Sequence, residues 1–277
     1  MLKQRVITAL ALLAVLLPAL FYSQIAPFAA LGLLLITAAG WEWARLNGVA
    51  EGASRGIGLL LGLLLAAFWV AGGLDHPWRP LWLGVGAVWV GLAIVMLRRG
   101  VPGWAHWPSA VRLVGGLFLI AVAWLALVQA RMKGLEFLLS LLLLVWTADI
   151  AAYFGGKAMG RRKLAPTISP GKSWEGAMSG AAGVGLLAAG WIAADWGGLA
   201  NHGSLYAQLW SKGSVWTALA VLGLTAMSVA GDLIESLVKR SAGVKDSSQL
   251  LPGHGGVLDR VDALLPVLPL GMMLVSI

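Results

Sequence analysis

Between Gly231 and Ala263 the chain reads GDLIESLVKRSAGVKDSSQLLPGHGGVLDRVDA, which sets four Asp, a Glu, a His and four Lys or Arg into an otherwise hydrocarbon-rich sequence. A charge in lipid is costly, so such residues mark paired and functional chemistry. Asp232, Glu235 and Lys239 follow one another at three- and four-residue spacing, which places them on one face at the end of a helix. Acids at a helix C-terminus oppose the macrodipole, so Asp232 and Glu235 call for a compensating cation, either the neighbouring lysines or a divalent metal. Lys239, Arg240, Lys245 and Asp246 lead into Pro252-Gly253-His254-Gly255-Gly256, a turn that lets backbone approach a ligand. Asp259, Arg260 and Asp262 then open the last helix, where simple dipole stabilisation is the plainer account of the two acids. Oxygen ligands, no Cys and only four His favour Mg²⁺ over Zn²⁺.

Two further clusters precede this one. In Trp146-Thr147-Ala148-Asp149-Ile150-Ala151-Ala152-Tyr153, Asp149 lies inside an apolar run, as a metal ligand, an orienting partner for a Lys, or simply an acid bonded to a neighbouring helix. The basic run from Lys157 to Lys163 continues into Ile168-Ser169-Pro170-Gly171-Lys172-Ser173-Trp174-Glu175. Ser169 as N-cap with Pro170 at the first helical position predicts a helix start whose free N–H groups face an anion. Lys172 and Ser173 would add a cation and a hydroxyl there. Gly171-Lys172-Ser173 is not a P-loop, because Pro166 stands where the earlier Gly is required and no strand precedes it.

The elements that hold these clusters are membrane helices. Of 277 residues 59% are hydrophobic and 12% charged, about half the charge of a soluble domain. Spans of roughly 20 apolar residues recur, near 6–22, 25–41, 56–73, 80–97, 112–130, 135–155, 174–195, 214–237 and 257–276. The expected fold is therefore all-α: a polytopic integral membrane protein with about nine transmembrane helices. Its first segment is an uncleaved helix rather than a signal peptide. Trp78, Trp82, Trp104, Trp107, Trp191 and Trp196 fall near predicted helix ends and suit interfacial belts. Residues 1–134 read as scaffold helices, and residues 135–277 as the catalytic half with loops 156–173 and 238–256. Counting basic clusters back two helices at a time puts Lys172, Arg112, Arg98, Arg99, Arg45, Arg55, Lys3 and Arg5 on one side, cytoplasmic by the positive-inside rule. The net charge of +8 fits such loops and an anionic lipid surface; no basic module with interleaved aromatics points to nucleic acid.

Residues Ser236 to Asp262, S-L-V-K-R-x4-K-D-x5-P-G-H-G-G-V-L-D-R-V-D, closely resemble the signature of the phosphatidate cytidylyltransferase family. W-T-A-D-I-A-A-Y-F-G-G-K, K-L-A-P-x-I-S-P-G-K-S-W-E-G and Trp41-Glu42-Trp43 resemble other segments of that family. The resemblance implies transfer from CTP to phosphatidate, giving CDP-diacylglycerol and pyrophosphate with Mg²⁺, at the cytoplasmic face of a bacterial inner membrane. It implies Asp232 and Asp259 as metal carboxylates, with Asp149, Asp246 and Asp262 behind them. Ser169, Lys172, Ser173, Lys239, Arg240, Lys245 and Arg260 would hold phosphates, Glu175 and Glu235 would orient those cations, and His254, Gly255 and Gly256 would shape the nucleotide side. A second, monovalent cation and a homodimer stay open. The rival readings are a polytopic organic-anion transporter, a lipid kinase-type enzyme acting on an alcohol, and a non-catalytic scaffold. The transporter is disfavoured by charges gathered at one face and by the lack of a visible repeat.

Overall fold

A computed structural model describes residues 2–277, with side chains from Val6 onward. The expected basic pair Lys3 and Arg5 lies outside the described side chains. The chain runs through α1 (Leu2–Phe21), α2 (Ala26–Leu46), α3 (Glu51–Val70), α4 (Arg79–Ala105), α5 (Ser109–Lys133) and α6 (Leu135–Met159). A short hairpin follows, β1 (Lys163–Ala165) and β2 (Ser169–Ser173), and then α7 (Trp174–Trp196), α8 (Leu205–Trp210), α9 (Ser214–Ser241), α10 (Leu258–Val261) and α11 (Leu264–Ser276). Among the described residues seven helices, α2 to α7 and α9, are long and apolar enough to cross a membrane. Val6–Phe21 and Leu264–Ser276 are shorter apolar helices. The nine apolar segments expected from sequence are thus all helical, and the chain is an all-α polytopic membrane protein.

Three boundaries differ for identifiable reasons. The helix start expected at Ser169-Pro170 is instead β2, paired antiparallel with β1 through Lys163–Ser173 and Ala165–Ser169. The helix cap falls on Ser173, whose hydroxyl accepts from the Gly176 N–H at 3.1 Å. The last span is broken. Pro266 has no N–H to offer the Asp262 carbonyl, so α10 ends at Val261 and α11 begins at Leu264. Finally, α9 runs on to Ser241, so the loop expected from 238 begins at Ala242.

Packing in lipid rests on close approach rather than on a hydrophobic driving force, and small residues permit it. On α7, Gly176 and Gly180 face α6 so closely that an added Cβ would stand 2.8 Å from the Ala152 carbonyl oxygen and 2.9 Å from that of Ala148. This contact sets the start of α7 beside Asp149. α9 packs between α4, α7 and α11, and α2 packs on α3 and α5. Trp82 and Trp104, expected in an interfacial belt, are buried in the protein interior with Trp43, Trp89 and Trp124, whereas Trp196 is exposed. Nearness to a helix end does not reveal which face a tryptophan occupies.

The elements share one polar end. Thr8 Oγ1 donates to the Pro252 carbonyl at 3.0 Å, and Arg45 donates to that of Ser247. The start of α1, the end of α2 and the 242–257 loop therefore lie together, and the hairpin packs on α7 and α9.

Candidate active site

Two groups of charged residues form at this end, one open and one closed. The open group lines a cavity of about 460 Å³ between α6, β2, the start of α7 and α9, with Asp149, Lys157, Ser169, Lys172, Ser173 and Asp232 in its wall. Lys172 Nζ stands 2.5 Å from Asp232 Oδ2, each side chain about a quarter to a third exposed. Asp232 Oδ1 has a single long contact, 3.3 Å from the Ser236 hydroxyl. Asp149 and Asp262 lie within electrostatic reach of Asp232. Among the described residues no three of the His, Asp and Glu side chains stand close enough to share one ion. The cavity thus has a cation, a hydroxyl and under-bonded carboxylate oxygens, with an apolar wall behind them.

The closed group is a latch. Glu42, fully buried on α2, accepts from the Ser248 hydroxyl at 2.5 Å and from the N–H groups of Val257 and Leu258 at 2.9 and 2.8 Å. The Ser247 hydroxyl stands 3.1 Å from Glu42 and 2.9 Å from Asp259, and donates its one proton to either. Asp259 also accepts from Lys239 at 2.6 Å and from the N–H groups of Gly256 and Ser247 at 2.7 and 2.9 Å. Burial pushes the Asp259 carboxyl up, but the bonds from Lys239 and the two N–H groups, with the Lys239 charge, outweigh it and hold the group below the usual carboxylate range. Lys239 pairs on its other side with Glu235 and is itself buried.

The expected site residues therefore divide. Asp149, Ser169, Lys172, Ser173 and Asp232 come together in the cavity. Glu235, Lys239, Asp259 and Gly256 belong to the latch, where a metal at Asp259 would have to displace Lys239, Ser247 or Gly256. Asp262 lies between the groups, bonded through Oδ1 to its neighbour's N–H, Ala263, at 2.8 Å. Glu175 turns to the hairpin base, where it accepts from the N–H groups of Arg161 and Arg162 at 3.0 and 3.1 Å and pairs with the Arg162 side chain. Arg240 caps the Val244 carbonyl, and Arg260 donates to the His254 carbonyl at 2.5 Å. Lys245 and Asp246 are exposed on the same loop, and Gly255 adopts φ 86° at its bridge to Leu251.

Glu42, Ser247 and Ser248 are the residues that sequence reasoning missed as site components. The signals were an acid, Glu42, at the end of an apolar helix and the resemblance of Trp41-Glu42-Trp43 to a segment of the family. Gly256 has no room for a side chain, since an added Cβ would fall on the Ser247 hydroxyl and the Glu42 carboxylate. Gly256→Ala should cost about 1–3 kcal/mol through overpacking and lower the midpoint of thermal unfolding in detergent. Gly171→Ala, whose Cβ would meet nothing within 4 Å, should leave that midpoint unchanged.

A cavity that pairs a lysine with a carboxylate at one end of a bundle of membrane-spanning helices defines a class: an integral membrane protein with a charged site at the end of its helices. The sequence model of the cytidylyltransferase family matches residues 3–277, and this chain belongs to that family. It is 40% identical over 280 residues to the phosphatidate cytidylyltransferase of Pseudomonas aeruginosa, covering 97% of this chain and 95% of that one. It is 36% identical over 289 residues to the enzyme of the same name from Haemophilus influenzae, covering 97% and 96%. The Brucella suis phosphatidate cytidylyltransferase is 38% identical over 232 residues, covering 82% of this chain and 68% of that protein.

Proposed function

We propose that this chain transfers the cytidylyl group of CTP to phosphatidate, giving CDP-diacylglycerol and pyrophosphate, at the cytoplasmic face of a bacterial inner membrane. The observation that carries the reading is the Lys172–Asp232 pair in the open cavity. A lysine held by an exchangeable carboxylate is ready to take a phosphate instead. Relatives of that name, matched over nearly the whole chain, support the choice of nucleotide and acceptor.

In this reaction a phosphate oxygen of the lipid attacks the α-phosphorus of CTP. The bond from that phosphorus to the bridging oxygen breaks, and pyrophosphate leaves with the electron pair. The nucleophile is already an anion, so no general base is needed. The obstacle is repulsion between anions, and catalysis rests on positioning and charge neutralisation. Lys172 and Lys157 supply positive charge at the cavity, Ser173 supplies a hydroxyl at the α7 start, Asp232 holds Lys172 in place, and Asp149 adds a carboxylate to the same wall. The under-bonded oxygens of Asp232 would suit a hard cation such as Mg²⁺, with Asp149 in the same cavity wall. Bound there, Mg²⁺ would neutralise phosphate charge and stabilise the leaving pyrophosphate. The latch presents the 242–257 loop, with Arg240, Lys245, His254 and Arg260, over the same end of the bundle.

The purified protein should convert labelled CTP and phosphatidate to a labelled lipid and release pyrophosphate. ATP in place of CTP, or diacylglycerol in place of phosphatidate, should give no product. A phosphorylated alcohol, or uptake of anions into liposomes without a lipid product, would overturn the reading. Lys172→Met should lower kcat/KM for CTP by roughly 10²-fold, the scale for one lost charge-stabilising donor, with folding retained in a thermal scan.

A further inference from the structure

A second cavity, of about 240 Å³, lies on a different face of α9. Val229 and Asp232 turn to the reaction cavity, whereas Gly231, Ile234 and Glu235 turn to this one. Its walls hold Trp43, Trp89, Trp104 and Arg112, and its mouth is rimmed by Val88, Val111 and Phe118, each about half exposed. An apolar, exposed rim on a membrane-spanning bundle opens to lipid.

The polar groups of this cavity are unequally served. Its acid, Glu235, forms an ion pair with Lys239 through Oε2, while Oε1 is buried without a hydrogen-bond partner. Its cation is not paired: among the described residues Arg112 has no carboxylate within ion-pair distance, and its Nε, like the indole N–H groups of Trp89 and Trp104, is buried without an acceptor. The Arg112 guanidinium lies 5.5 Å from the centre of the Trp104 ring, and the Trp43 indole fixes the backbone beneath it by donating to the Arg112 and Leu113 carbonyls. Unpaired donors at membrane depth are costly. Arg112 is in the first turn of α5, at headgroup level. An anion with several acceptor oxygens on a hydrocarbon tail has the chemistry to satisfy these donors beside an apolar rim.

We propose that this cavity binds the headgroup of an anionic glycerophospholipid as a resident, non-reacting lipid. Its phosphate meets Arg112, ester or phosphate oxygens accept from Trp104 and Trp89, and an acyl chain leaves through the Val88–Phe118 rim. The occupant cannot be the reacting phosphatidate, because α9 separates this cavity from Lys172 and Asp232.

The test is lipid retention by the full-length protein, read by native mass spectrometry after exchange into mixed phosphatidylglycerol and phosphatidylcholine. This readout is independent of turnover, so its failure leaves the proposed reaction standing. One phosphatidylglycerol should be held per chain, in preference to phosphatidylcholine. Arg112→Gln should weaken retention about tenfold, and Trp104→Phe, which keeps an aromatic side chain but replaces the indole with a smaller phenyl ring and removes the N–H, about threefold. Arg98→Gln, at an exposed arginine near the same end, should change nothing. Equal losses in Arg98→Gln and Arg112→Gln would reduce the effect to general surface attraction and overturn the site. So would indifference to headgroup charge, or loss of a second protein copy rather than of a lipid.

Discussion

Asp232→Asn is expected to lower cytidylyl transfer by on the order of 10²–10³-fold, the cost of removing one preorganised charge from a phosphoryl-transfer site. The side chain keeps its shape and loses only charge, so the change is electrostatic. Lys172 loses the carboxylate 2.5 Å away that holds it at the cavity, and the oxygens best placed for a divalent cation become a neutral amide. Stability should barely move. The pair is about a quarter to a third exposed, and such ion pairs contribute about 1 kcal/mol or less. Turnover and thermal unfolding measured on the same preparation therefore separate two carboxylates that sequence spacing treats alike. Asp232→Asn should lose activity at constant unfolding midpoint, whereas Asp259→Asn should lose both, because it puts an NH₂ among donors from Lys239, Ser247 and Gly256. Retention of more than about a tenth of wild-type turnover in Asp232→Asn would remove it from the site.

The contrast between these two acids shows what the sequence could convey. Asp149, Lys172 and Asp232 were legible because a charge in an apolar run has few explanations, and their spans and loop signs put them at one end. Their division from Lys239 and Asp259 was not legible. Asp232 and Lys239 lie two turns apart on α9, and only the docking of the 242–257 loop decides which one is covered. Ser169-Pro170 satisfied every local rule for a helix start, yet pairing with Lys163–Ala165 overrode it and moved the cap to Ser173. Asp259 and Asp262 read as openers of one continuous last helix, but the missing N–H of Pro266 breaks that helix at Asp262 and Ala263. The break at Pro266 is itself local and was readable in the sequence, whereas in the first two cases a contact with another element decided what local rules left open. Arg112 is similar: it was read only as a topology signal, and its aromatic surroundings come from α2 and α4.

Glu42→Ala should produce the other large effect, and by a different route. Ser247 and Ser248 lie more than 200 residues from Glu42, and no periodicity could join them. The carboxylate nevertheless holds the 242–257 loop at two points, through Ser248 near its middle and through the Val257 N–H at its end, with the Leu258 N–H just beyond. Each buried donor left without an acceptor costs about 1–3 kcal/mol, and three such donors outweigh the contacts to Asp259, Arg45 and Thr8 that remain. The loop should therefore come away as a unit, while the α2, α5 and α9 packing, which does not use Glu42, persists. The expected result is new protease cleavage between residues 242 and 257, unchanged helical content, and turnover reduced by at least about tenfold because Lys245, His254 and Arg260 are no longer presented. Glu42→Gln should fall between, since one amide oxygen still accepts but the NH₂ faces donors. If Glu42→Ala stays resistant to protease and active, the loop is anchored by Asp259 and Lys239 alone. Loss of helical content together with activity would instead make Glu42 a support for the whole bundle.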